Sequence, residues 1–110
     1  MISSAKVFYK NRLAGILRKT DSGYTFKYDI EYLDSTEAMP ISLTFPLSTG
    51  TYADRILFPF FDGLIPEGWL LNVAKDQWKF KGTDRFELLA TLCEDTIGAV
   101  TVIGEEDENV

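Results

Sequence analysis

The spacing of apolar residues changes character along the chain, from alternation in the first half to helical repeats in the second. Residues 6–9 and 13–18 are short β-rich runs, and Asn11 between them suits a tight turn. A second turn at Asp21-Ser22-Gly23 leads into residues 24–28. There Tyr24, Phe26 and Tyr28 fall on one face and Thr25 and Lys27 on the other, the period of a half-buried strand. Residues 29–40 are polar and end at Pro40, a breaker, which predicts a short turn or helix before the apolar run at 41–45. Residues 46–57, with Gly50 and little periodicity, read as a loop.

Two helices are predicted next. Over residues 67–78, Leu70, Leu71, Ala74 and Trp78 share one stripe, which leaves Val73 on the other side and Trp69 nearly opposite. The second, over residues 84–93, starts with Asp84 and Glu87 in capping-box spacing. Phe86, Leu88, Leu89, Leu92 and Cys93 surround most of its circumference, so it should be largely buried. Residues 98–103 read as a last β-run returning to the sheet. The expected fold class is α+β: a small antiparallel, barrel-like sheet with two packed helices in the C-terminal half. One domain is expected over residues 1–104, followed by a solvated, frayed acidic tail at 105–110.

Between loop and first helix, residues 59–69 follow neither period. The run Pro59-Phe60-Phe61-Asp62-Gly63-Leu64-Ile65-Pro66-Glu67-Gly68-Trp69 sets large apolar side chains among two prolines and two glycines. Proline fixes φ and suits the first position of a helix, where its missing N–H costs nothing. The Glu67 carboxylate would face the positive end of the helix dipole. The segment therefore reads as a stiffened loop that presents Trp69 to a partner.

Composition narrows the chemistry. The chain has 110 residues, enough for one domain with a real core. Its net charge of −6 disfavours direct nucleic-acid binding, which needs clustered cations to displace counterions. With no histidine and a single cysteine, Cys93, thiolate zinc sites and Cys–His nucleophiles are excluded. Adjacent carboxylates, Glu94-Asp95 and Glu105-Glu106, read as solvated charges, and helix capping accounts for Glu67. No catalytic residue, metal or cofactor is expected. One cysteine cannot form an internal disulfide, no signal peptide is apparent, and no apolar run approaches the length of a membrane span, so a cytoplasmic location is expected.

The stretch Phe60-Phe61 through Gly63-Leu64 to Pro66-Glu67-Gly68 resembles the motif of the N-terminal subdomain of HipA-type serine/threonine kinase toxins. The resemblance continues upstream. Residues 7–15 look like that subdomain's opening hairpin, with Lys10-Asn11-Arg12 where Asn-Gly-Arg is usual, and residues 26–33 and 41–47 look like its middle strands. Downstream, residues 84–90 and 94–100 are similar to its closing helix and Asp-Cys-x-Gly-Ala signature, with Thr96 in place of the cysteine. The kinase core of such proteins has no counterpart up to Val110, so no kinase activity is expected of this chain alone.

As a stand-alone unit the sequence resembles HipS, the small antitoxin of HipB–HipS–HipT systems. The resemblance implies non-covalent docking on a separate HipT-like kinase near its active site, in a ternary complex with a HipB-like helix-turn-helix protein. This chain itself would make no base contacts and touch no membrane. Trp69 is the candidate wedge, with Phe61, Leu64, Ile65, Pro66, Glu67, Gly68 and Val73 as the rest of the partner-binding set. A regulatory, activating half of a split kinase and an N-terminal fragment of a longer toxin are the other readings.

Overall fold

The computed structural model describes residues 2–65, Phe86, Leu89 and 99–106. Strands β1 (Ile2–Tyr9), β2 (Arg12–Thr20) and β3 (Gly23–Tyr28) follow one another as antiparallel hairpins. A one-turn helix α1 (Ile30–Leu33), a short strand β4 (Thr51–Asp54), a second one-turn helix α2 (Pro59–Asp62) and strand β5 (Val100–Glu106) complete the described elements. The five-stranded sheet has the order β4-β3-β2-β1-β5, antiparallel at every pairing. This is the expected α+β class.

The first hairpin closes through Lys10 and Asn11, both left-handed at φ 49° and 67°. Two successive positive φ values match the right-handed twist of the flanking strands, as tight hairpins require. The second hairpin turns at Asp21 and Ser22 and resumes at Gly23, φ 149°. A Cβ at Gly23 would lie 2.2 Å from the Asp54 carbonyl oxygen, so β4 reaches β3 only because that position is glycine. A Cβ at Gly15 would likewise fall 2.8 Å from the Phe26 ring.

Alternation decides which face is dry. Ala5, Val7, Leu17, Phe26, Tyr28 and Val102 are at most 1% exposed and form the inner face. Phe86 and Leu89, the described residues of the second expected helix, are helical and fully buried, with the Phe86 ring centroid 6.0 Å from that of Tyr24. The helix expected at 67–78 lies outside the described residues, as do Trp78, Cys93 and Thr96. Asp29 caps α1, its carboxylate accepting from the Tyr32 N–H at 3.3 Å.

Three local expectations are corrected. Residues 41–45, expected as a strand, form a compact loop, because hydrogen bonds within it and to one tyrosine occupy groups a ladder would need. The Tyr28 hydroxyl accepts from the Ile41 N–H at 3.0 Å and donates to the Phe45 carbonyl. Within the loop, Phe45 N–H reaches the Ser42 carbonyl at 3.1 Å and Thr44 N–H the Ser42 Oγ at 3.2 Å. Second, β4 lies inside the expected 46–57 loop. It is an exposed edge strand with Tyr52 alone half-buried, so it shows no hydrophobic period. Third, the acidic end is not free from residue 105: Glu105 pairs with Ser4 and Glu106 with Ile2 in the β1–β5 ladder. Lys6 Nζ also lies 3.7 Å from the Glu105 carboxylate.

Candidate partner-binding site

The segment singled out by sequence begins as α2 rather than as a loop. Pro59 stands in the first turn, where its ring presets φ, and Gly63 follows as C-cap. Asp62 N–H bonds the Phe58 carbonyl at 3.0 Å and Gly63 N–H that of Pro59 at 2.9 Å. Leu64 and Ile65 then close tighter turns on Phe61 and Asp62, at 3.0 and 3.2 Å. Every backbone step from Asp62 to Ile65 is thus tied down.

Isolated, a single helical turn has no stability of its own. Aromatic packing holds this one. Phe61 is fully buried, its ring centroid 5.6 Å from that of Phe26, 5.5 Å from Phe45 and 5.2 Å from Phe60. Phe45 adds an edge-on contact with Phe58 at 5.1 Å and another with Tyr52 at 5.1 Å. Pairs at such tilts and spacings contribute about 0.5–1.5 kcal/mol each beyond area burial.

Tyrosines fix the facing loop. Besides the Tyr28 contacts, Tyr32, stacked on Tyr28 at 6.0 Å, donates its hydroxyl to the Met39 carbonyl at 2.6 Å and accepts from the Met39 N–H at 3.1 Å. The Tyr52 hydroxyl donates to the Pro46 carbonyl. Burial pushes the Tyr28 phenol up to about 12, the Ile41 N–H opposing it and nearby Tyr52 and Tyr32 adding to it. A phenol so buried and doubly hydrogen-bonded is a structural clip rather than an acid or base. Among the described residues, no group of acidic or thiol side chains is arranged to hold a metal ion.

The expected site residues divide accordingly. Phe61 and Ile65, 0% and 5% exposed, belong to the core, so they hold the segment from beneath and offer a partner no surface. Leu64 is half-buried at its margin. Pro66, Glu67, Gly68, Trp69 and Val73 lie outside the described residues. Sequence reasoning missed Leu43, which stands 99% exposed on the clipped loop two residues from Phe45. Its flanking Ser42 and Thr44, which form the local turn, were the available signal. The arrangement can present apolar side chains on a rigid base.

Comparisons with known proteins agree on kinship. An uncharacterised protein of Haemophilus influenzae is 32% identical over 106 residues, covering 96% of this chain and 96% of that protein. The putative kinase Y4mE of Sinorhizobium fredii is 28% identical over 105 residues, covering 94% of this chain and 25% of the kinase. The chain therefore spans about a quarter of that kinase's length. Among solved structures, an N-terminal domain of HipA toxin matches with a TM-score of 0.74 at 30% identity, covering 98% of this chain and 97% of that one. Among the described residues, no helix is long and apolar enough to cross a membrane. With the HipA N-terminal domain family matched across residues 5–103 and the fold of a HipA N-terminal domain shared over nearly the whole chain, the chain belongs to that family.

Proposed function

We propose that this chain is an antitoxin that binds and neutralises a separate HipA-like, HipT-like serine/threonine kinase. One observation carries the reading. The same unit makes up a quarter of a putative kinase in one relative and nearly the whole of another protein. A domain used both ways is suited to sit on a kinase in trans, where its fused counterpart sits in cis.

In this reading docking is non-covalent and the chain is not an enzyme. The α2 corner, locked by Phe61 and Ile65, sets where the following segment starts. Trp69 is the wedge directed at the kinase's active site, with Pro66, Glu67, Gly68 and Val73 shaping its approach and Leu64 at the rim. Tryptophan suits the role because it combines large apolar area with an N–H donor, and such anchors lose about 2 kcal/mol or more on truncation to alanine. Leu43 extends the contact from the clipped loop. The complex acts in the cytoplasm and includes a HipB-like helix-turn-helix protein, which makes the base contacts that an acidic chain of net charge −6 does not.

Co-expression tests the reading. A HipA-like kinase chain from the same organism should arrest growth alone and cease to do so when this chain is co-expressed. Trp69→Ala should lower co-purification of the pair at least about thirtyfold. Growth arrest that needs both chains would replace the antitoxin by an activating subunit. Full protection by Trp69→Ala would move the wedge elsewhere.

A further inference from the structure

The sheet's outer face, opposite the aromatic core, has a charge unlike the rest of the chain. Cross-strand pairing places Thr51, Lys27, Ile16, Lys6 and Ile103 in one row across all five strands. The neighbouring row is Ala53, Thr25, Arg18, Ser4 and Glu105. In these two rows Lys6, Arg18 and Lys27 stand against one carboxylate, Glu105, in a chain of net charge −6. Glu105 is committed to Lys6 at 3.7 Å. Arg18 and Lys27 are exposed, and neither is in an ion pair among the described residues.

The two free cations flank an apolar floor. Ile16 lies directly opposite Lys27 and is half-buried, and Ile30 at the start of α1 is 63% exposed beside them. With Thr25 and Thr51 they line a groove of about 330 Å³. Asp29 also lines it, its carboxylate engaged in capping α1. The groove is partly open to solvent, which leaves room for a chain segment laid across it.

We propose that this groove docks a protein segment presenting aliphatic side chains flanked by carboxylates. Ile16 and Ile30 take the aliphatic contact, while Arg18 and Lys27 pair with the carboxylates. Complementarity of this kind fixes register and speeds encounter more than it adds affinity. The site is independent of the kinase-docking reading, because α2 packs on the inner face and leaves the outer one available. A nucleic-acid backbone is the poorer match. Two or three cations release few counterions, and the net acidity of the molecule opposes a polyanion.

The test is an NMR titration of the full chain, labelled with ¹⁵N, against a short amphipathic peptide carrying leucines flanked by glutamates. The same peptide with lysines for glutamates, and a short DNA duplex, form the other arms. The glutamate peptide should shift the amides of Ile16, Arg18, Thr25, Lys27 and Thr51, and Arg18→Glu/Lys27→Glu should weaken it about tenfold or more while the spectrum stays dispersed. Equal binding of the lysine peptide, shifts confined to other surfaces, or an unweakened double variant would each overturn the proposal. Tighter binding of DNA at the same amides would also overturn it, in favour of a nucleic-acid surface.

Discussion

At the scale of single residues, Tyr28 ties a strand to a loop thirteen to seventeen residues away. Tyr28→Phe keeps the ring but leaves the Ile41 N–H and Phe45 carbonyl without their partner, at a cost of about 1–3 kcal/mol by chemical denaturation. Because the folded state raises the phenol from 10.0 to about 12, its contribution is intact below pH 10 and is lost as pH rises through 12. The wild type should therefore lose stability over that window more steeply than Tyr28→Phe. Phe61→Ala should cost about 3–5 kcal/mol, since it empties the centre of the aromatic cluster. Leu43→Ser should change stability by no more than about 0.5 kcal/mol yet weaken kinase binding, separating support from contact. The inward role of Phe26 and Tyr28 was legible in their alternation. That of Leu43 was not. Positions 41, 43 and 45 alternate as in a strand, and against that period stood only the weak turn signal of Ser42 and Thr44, which the distant Tyr28 hydroxyl completes in the fold.

Among the elements, those that bury one regular face were the readable ones. The hairpins of β1, β2 and β3 and the return of β5 follow from alternation and turn residues. The one-turn α2 and the exposed β4 were hidden, because a single turn has no period to detect and an edge strand has little apolar face to show. Both owe their existence to contacts distant in sequence: aromatic packing for α2, and the glycine at position 23 for β4. Gly23→Ala should accordingly destabilise by about 1–3 kcal/mol, read as a lower denaturation midpoint with an unchanged slope. The Lys10-Asn11 turn offers the opposite change. Both residues hold positive φ, so Lys10→Asn with Asn11→Gly should stabilise the hairpin by up to about 1 kcal/mol and raise Tm.

Across the whole molecule, one antiparallel sheet separates two unlike surfaces. Its inner side carries the aromatic corner built around α2, and its outer side carries the basic groove. The family was legible from the order and spacing of short motifs, none of them specific alone. Trp69 stands out in the sequence only as a residue off the apolar stripe of the helix expected at 67–78, and it lies outside the described residues. The central claim is inhibition in trans, and purified components test it directly. Phosphoryl transfer by the HipA-like kinase should fall to background once this chain is added in stoichiometric amount, and should recover when Trp69→Ala replaces it. Unchanged or increased transfer in the presence of the wild-type chain would contradict the account.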